Sequence, residues 1–444
     1  MLTDFIQQKF TTLLHIHTYV LAFSGGLDSQ VLLQLCASAL KNTTKKLRAI
    51  HVNHGLSANA LQWQSQCQAV CDQLAIPLQC VQVNAAPQPG KSPEAVAREL
   101  RYQAFKELLV EDECLLTAHH QNDQAETVLL QLLRGAGPAG LAAMPELTSF
   151  AKGYLLRPLL NFTRAELLQY ATQQQLDWIE DESNLNTAYD RNFIRHQILP
   201  LLEQRWPAAT TTLARAAANC AEAAELLQVL GEQDGELFFS RLSLSLANLR
   251  QLDITDPTYS RSRNVIRTWL KQQNFAIPSR SRLQQLHHDF MTAKIDANPH
   301  MTWNGVEIRR YKDAIYAMSP LLPLEMNAQY HWNLNTTLDL PHNLGKLCGN
   351  KQRDQGFVLP DADSLVTVRF RRGGERCQPS GHKGTHTLKK LLQEWDVAPW
   401  QRDRIPLLYW RDQLVAVVGF CICEPFKVEM GKEGWMVDLY QPSI

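Results

Sequence analysis

Between residues 19 and 159 the sequence switches repeatedly between two hydrophobic periods. The unbroken apolar runs YVLAF (19–23), LRAIHV (47–52), LQCVQV (78–83), CLLTA (114–118) and YLLRPL (154–159) alternate with amphipathic stretches at 28–40, 59–75, 93–109 and 122–134. A short continuous apolar run reads as a strand buried on both faces, and an i, i+3, i+4 spacing as a helix packed by one face. Repeated strand–helix units of this kind fold as a parallel sheet covered by helices on both sides. The sequence therefore predicts an N-terminal doubly wound α/β domain over residues 1–205. Gly135 stands where a helix C′ glycine belongs, and TRAE (163–166) is a capping box that opens a further helix. Ligands bind such sheets at the carboxyl ends of the strands. SGGLDS (24–29), NHGLS (53–57) and AHHQND (118–123) all fall there.

Beyond Trp206 the alternation stops. PAATTTLARAAANCAEAAELLQVL is rich in Ala and Leu, and no strand series follows until WNGVEIRRY. This predicts a helical domain over 206–315, a linker with short strands over 316–360, and a small α/β domain over 361–444. Lys+Arg and Asp+Glu are 44 each, so net charge excludes no partner, but local charge is segregated. Arg369, Arg371, Arg372, Arg376, Lys383, Lys389 and Lys390 crowd a window with one acid, Glu375, and the window 241–283 is also basic. Such patches outside the α/β domain suit a polyanion such as RNA. No apolar run is long enough for a membrane span. MLTDFIQQKF is too polar for a signal peptide core, so a cytoplasmic protein is expected. The ten cysteines include no C-x-x-C pair. They read as buried thiols, with no zinc or iron–sulfur site expected from their spacing.

SGGLDS has a definite chemistry. Gly25 and Gly26 let a ligand approach the backbone, and the helix that follows turns its free N–H groups and positive end to the loop. Ser24 and Ser29 add hydroxyls. This is an anion site without the lysine of a P-loop. Asp28 would repel a phosphate unless it caps the helix or holds Mg²⁺ that bridges to the phosphate.

SGGLDS resembles the phosphate loop of the PP-loop, N-type ATP pyrophosphatases. EAVARELRY (94–102), TAHHQNDQAET (117–127), LLRGAGPAGLAAM (132–144), RPLL (157–160) and EDESNLNTAYDRNFIRHQILPLL (180–202) resemble segments of the tRNA(Ile)-lysidine synthetases within that superfamily. RFRRGGERC and LKKLLQEWDVAPWQRDRIPLLY resemble their C-terminal domain. The resemblance implies ATP-dependent ligation of free L-lysine to C2 of the wobble cytidine in a tRNA(Ile) with a CAU anticodon. The reaction passes through an adenylated tRNA and releases AMP and pyrophosphate.

For individual residues the resemblance implies ATP binding by Ser24, Gly25, Gly26, Leu27, Asp28, Ser29, His54 and His119. Asp28 and Asp123 are implied as catalytic carboxylates and Mg²⁺ ligands. Arg98, Arg191, Arg195, Arg369, Arg371, Arg372, Lys389 and Lys390 are implied as substrate or tRNA contacts. One departure stands out: the family's Asp-Asp pair is Asn122-Asp123 here, and an amide brings no charge to a metal. Glu126 is either an orienting group or a solvated acid in the first turn. The resemblance leaves room for a homodimer. Another PP-loop tRNA-modifying enzyme, such as a thiolase, and a non-catalytic nucleotide-dependent RNA-binding module are the alternatives. A cytidine thiolase would be expected to carry clustered cysteines.

Overall fold

The six-stranded sheet of the N-terminal half has the order β3-β2-β1-β4-β6-β5. Its strands are β1 (Thr18–Ala22), β2 (Lys46–Asn53), β3 (Leu78–Gln82), β4 (Glu113–Leu116), β5 (Leu147–Phe150) and β6 (Gly153–Leu156). All pair in parallel except β5, which turns back on β6. This is a computed structural model, and it describes residues 2–55, 57, 59–84, 93–236, 243–294, 297–360 and 365–440. Leu56 of NHGLS, the side chains of Glu94 and Ser183, and Arg241 of the middle basic window lie outside the described residues. The chain divides into two units, 1–229 and 230–444.

The expected α/β alternation is present. The helices are α1 (Leu2–Thr12), α2 (Leu27–Leu40), α3 (Ala60–Gln73), α4 (Pro93–Leu108), α5 (Gln121–Leu133), α6 (Pro138–Leu141) and α7 (Arg164–Gln173). After α7 come α8 (Asp190–Phe193), a π-helical turn (Ile194–Ile198), α9 (Leu199–Arg205) and α10 (Ala209–Gly235). Strand β1 shows why its apolar run is unbroken. Tyr19 and Leu21 join one core with Leu32 and Leu35 of α2, Cys71 of α3 and Leu167 of α7. Val20 faces the opposite core with Ile50, Leu115 and Leu155, closed by Phe105 of α4. Successive side chains of a strand point to opposite faces, so a sheet covered twice leaves a central strand no polar position. The capping box is formed as read: Glu166 N–H donates to Thr163 Oγ1 at 3.3 Å, and Thr163 N–H to Glu166 Oε2 at 2.7 Å.

Two elements were not anticipated. Helix α1 buries Ile6 and Phe10, which are four residues apart, in a sequence that otherwise reads as polar. Strand β5 has an alternating exposed and half-buried pattern and exists because the turn at Ala151, with φ +52°, folds it onto β6.

The second unit begins within α10, so the expected break at 205/206 does not coincide with the division of contacts. Its first layer has three helices, Leu246–Thr255, Ser260–Gln272 and Arg280–Thr292, around Trp269, Leu286 and Phe290. Besides these helices it holds a four-stranded antiparallel sheet of Ser243–Ser245, His300–Trp303, Val306–Tyr311 and Ala314–Met318. Only the stretch around WNGVEIRRY announced this sheet, because the outer strands are short. In the stretch read as a linker, Gln329–Asn333 pairs with Leu365–Arg369, and Lys346–Arg353 pairs with Glu433–Tyr440. KLCGNKQR buries little on either face, hence its weak signal. Among the described residues no helix is long and apolar enough to cross a membrane.

The sheet order reverses between β1 and β4, and this switch point is where a doubly wound sheet opens a crevice for ligand. The loops after these two strands carry SGGLDS and AHHQND. Gly153 holds β6 close on the far side of β4: a Cβ there would lie 2.1 Å from the Glu113 carbonyl oxygen. Backbone cannot yield as a flexible side chain does. Gly153→Ala is therefore expected to cost about 1–3 kcal/mol, read as a lower midpoint in urea unfolding. Gly135→Ala, with open space around its Cβ, is expected to cost only the strain of its φ of +70°.

Candidate nucleotide site

Phe23 follows β1 with its N–H on the Ile50 carbonyl, and the chain then turns through Ser24, Gly25 and Gly26 into α2. Gly25 has φ +82°, and a Cβ would meet Ile179 Cδ1 at 2.4 Å and Cys67 Sγ at 2.8 Å. The Gly25 carbonyl accepts a hydrogen bond from Ile179 N–H at 2.9 Å. The loop is thus shaped by its glycine and by a segment far along the chain. Gly26 is the N-cap of α2, with no side-chain cap of its N–H groups. Ser29 Oγ donates to the Gly26 carbonyl at 2.9 Å and lies 3.1 Å from Ser24 Oγ. Leu27 is buried in the core, so it can offer a ligand its backbone only. The loop presents uncapped N–H groups, two hydroxyls and a helix dipole, which is the donor set of an oxyanion site.

Asp28, in the first turn of α2, faces the loop that begins α5. Its Oδ2 lies 3.5 Å from His120 Nε2, and its Oδ1 is a buried oxygen with no hydrogen-bond partner. His120, only 1% exposed, stands between two carboxylates, since its Nε2 is also 3.5 Å from Asp123 Oδ2. Burial would depress its pKa, but the charges of Asp123 and Asp28 outweigh it and hold the imidazole above its ordinary value. His119, the neighbour expected to face nucleotide, turns away to Thr117 Oγ1 at 2.8 Å. Burial pushes its pKa down to about 3. Burial, with the charge of Arg101 nearby, takes His54 down to about 4. His51 is also depressed by burial, with its Nδ1 2.9 Å from the Phe23 carbonyl.

Asp123, expected as a metal ligand, has both carboxylate oxygens engaged by side chains or backbone. Its Oδ1 takes Arg191 Nη2 at 2.8 Å and Arg195 Nη2 at 3.2 Å, and its Oδ2 accepts the His120 N–H at 2.9 Å. Burial alone would raise its pKa. The charges of His120, Arg191, His119 and Arg195 reverse this and hold it well below the carboxylate range. Glu126 is 0% exposed and not a solvated acid. Its Oε2 accepts Arg191 Nε at 2.7 Å, and its Oε1 accepts Arg195 Nε at 2.6 Å. The two arginines are spaced four apart on the π-helical turn and its preceding residue-run, so both forks meet α5 on one side. They were expected as a cationic stripe open to RNA, whereas the structure commits them to two buried carboxylates. A charge stripe and a buried ion-pair lattice share the same spacing, so only the fold tells them apart.

Asn122 accepts the Arg164 N–H through Oδ1 at 3.0 Å, at the start of α7. It is a backbone anchor between α5 and α7, a task an amide oxygen performs without charge. Arg98 is exposed and lies over the Tyr102 ring, 5.0 Å from its centroid. Sequence reasoning gave His119 and His120 alike a nucleotide-facing role and singled out neither Arg157 nor Ile179. Arg157, of RPLL, is buried and donates to the Pro145 carbonyl at 2.6 Å.

A Mg²⁺ ion, as the PP-loop family implies, finds one fitting ligand in this arrangement: the unpartnered buried Oδ1 of Asp28, a hard anionic oxygen. Asp123 is saturated by cations and an N–H group, so the metal expectation rests on Asp28.

The basic C-terminal window also divides. Arg371 Nη1 binds Asp403 Oδ1 at 2.8 Å, Arg372 donates to the carbonyls of Met326 and Asn327, and Arg369 lies over the Tyr409 ring. These three are built into their domain. Lys383 and Lys389 are exposed, and the exposed Lys390 lies 3.6 Å from Glu394.

Comparison with known proteins assigns the family. Residues 2–202 match the PP-loop domain, residues 244–316 the TilS substrate binding domain, and residues 366–439 the TilS substrate C-terminal domain. A tRNA(Ile)-lysidine synthase of Coxiella burnetii is 45% identical, covering 98% of this chain and 95% of its own. The chain belongs to the tRNA(Ile)-lysidine synthase family. A Photobacterium profundum member is 40% identical over 95% of this chain and 96% of its own. Among solved structures, a TilS C-terminal domain is similar at 24% identity and TM-score 0.22, covering 26% of this chain and all of that one.

Two outcomes follow from the charges at the switch point. Removing one partner of a buried ion pair strands the other, so Glu126→Ala is expected to destabilise the protein by about 3–5 kcal/mol, measured by denaturant unfolding. The pH dependence has a definite sign. An unfolded histidine binds its proton below about pH 6.5, but folded His54 and His119 do so only near 4 and 3. Unfolding takes up protons in between, so stability falls as pH drops from about 6.5 toward 4. His120 is shifted the other way and loses its contribution as pH rises through its folded pKa. Replacing His54 and His119 by Gln is expected to flatten the melting temperature against pH below about 6.5. An unchanged slope would mean these imidazoles are protonated in the folded protein.

Proposed function

We propose that this protein ligates L-lysine to C2 of the wobble cytidine of a tRNA(Ile) bearing a CAU anticodon, with ATP cleaved to AMP and pyrophosphate. The observation that carries the reading is the full-length family match at 45% identity. The site supports it. The uncapped start of α2 and the hydroxyls of Ser24 and Ser29 receive the phosphates of ATP. Asp28 would hold Mg²⁺, which supplies charge neutralisation on those phosphates.

The cytidine C2 oxygen attacks the α-phosphate, the α–β bridge breaks, and pyrophosphate leaves from the loop. The C2–O bond of the adenylate is then the bond broken when the lysine ε-amine adds at C2 and AMP departs, with the amine's proton released. Asp123 and Glu126 position Arg191 and Arg195, and the Asp28 charge reaches Arg195. The tRNA itself would meet the exposed lysines of the C-terminal domain, and the protein would act in the cytoplasm, where its substrates are.

Pyrophosphate release with ATP, lysine and the tRNA tests the reading: loss of the signal on changing the anticodon cytidine, and its limitation to a single turnover with AMP retained on the tRNA when lysine is omitted, mark the two substrates. Asp28→Asn, nearly isosteric, is expected to lower release by on the order of 10²-fold or more with an unchanged circular dichroism spectrum. Near-normal release would remove Asp28 from the chemistry.

Lys383→Glu, Lys389→Glu and Lys390→Glu combined are expected to weaken tRNA binding and to lower the slope of log K against log salt by roughly 0.7–0.9 per lost phosphate contact. Arg371→Glu is a poor probe of RNA contact, because it breaks the Asp403 pair.

A further inference from the structure

We propose that Cys377, Cys421 and Cys423 form a zinc site in the C-terminal domain, with His386 as the fourth ligand. The three Sγ atoms all lie within 4.8 Å of one another. Zinc–sulfur bonds of about 2.3 Å put tetrahedral thiolates about 3.8 Å apart, so side-chain adjustment alone closes the three sulfurs around an ion. Cys377 and Cys423 are 4% and 1% exposed, and Leu391, Leu414 and Trp395 pack around the cluster. Trp395 is itself stacked on Phe420, with ring centroids 5.2 Å apart. Zinc is the divalent ion that suits a closed, sulfur-rich, four-coordinate site.

The backbone brings these residues together from two segments. Cys421 and Cys423 are two apart on an extended segment, so their side chains share a side. Cys377 lies on the two-residue strand Arg376–Cys377, opposite His386 of His386–Thr387. Directly opposed residues of an antiparallel pair project to the same face, so the His386 side chain lies on the face of the Cys377 thiol, and a rotation of that side chain brings its imidazole to the three sulfurs. The two segments are joined by Ser380 N–H to the Ile422 carbonyl and Glu424 N–H to the Gln378 carbonyl, at 2.9 and 2.8 Å.

The loop between Cys377 and His386 turns at Gly381 and Gly384, with φ +83° and +87°. Its ribbon is two residues long on each side, too short to be stable alone. A metal tie between Cys377–His386 and Cys421–Cys423 supplies the missing constraint, as structural zinc does in small folds. No C-x-x-C pattern foretold it, because the third thiol and the imidazole come from the other segment.

The test uses the full chain, purified under reductant with neither chelator nor a metal-affinity step, and measures zinc by mass spectrometry of the metal. One zinc per chain is expected. Co²⁺ added to the chelator-treated protein is expected to give thiolate-to-cobalt charge transfer and the intense visible bands of a tetrahedral site. Cys423→Ser puts a hydroxyl at a fully buried position, so Cys421→Ser, at a half-buried position, is the second variant. Each is expected to abolish both signals. His386→Ala is expected to weaken zinc at least tenfold against a chromophoric chelator, and unchanged affinity would overturn its place as ligand. Metal-free protein that gives no cobalt spectrum with free thiols, or a disulfide within the cluster in cells, would overturn the site.

Discussion

Two carboxylates on one face of α5 and two guanidiniums on a later helical segment form the interaction on which the N-terminal domain turns. Asp123 and Glu126 are three apart on α5, and Arg191 and Arg195 are four apart, so each arginine reaches both acids. Either pair alone would be prohibitive in the interior. Together they cancel, and every carboxylate oxygen of the four-residue lattice is hydrogen-bonded. A buried pair of this kind adds little net stability over an apolar equivalent. Its use is positional: it fastens residues 190–198 across the switch point, next to Asp28 and His120.

That lattice also sorts the carboxylates of the site. Asp123 is surrounded by positive charge and held ionised. Asp28 shares His120 and keeps one oxygen without a hydrogen-bond partner. Two aspartates that look alike in a motif thus differ in what they can give a ligand. Asn122 fits the same picture. Its oxygen is spent on the backbone of α7, so the absence of a charge there leaves the lattice intact.

The parts of the fold that the sequence showed are those where one residue pattern has one physical reading. The apolar run of β1 can only be a twice-covered strand, and Thr163 with Glu166 can only be a helix start. Lys346–Arg353 was obscure because one partner, Glu433–Tyr440, lies far along the chain, the other, Thr337–Asp339, is only three residues long, and its side chains are mostly exposed. The site was legible to the level of motif. SGGLDS placed the phosphate loop and Asp28 beside it. What could not be read was pairing: whether Arg191 faced RNA or Glu126, and whether His119 or His120 met Asp28. These depend on which helix face turns inward after the sheet has closed.

The contact between the Gly25 carbonyl and Ile179 has a consequence for the order in which the protein is made. A chain leaving the ribosome presents its phosphate loop first and Asp123 with Glu126 next, while the nearer arginine to Glu126 follows 65 residues later. Until then Glu126 lacks both of its arginines, Asp123 has only His120 beside it, and the loop lacks the peptide that props it. The nucleotide pocket therefore matures late in the translation of its domain, although its phosphate loop is synthesised early.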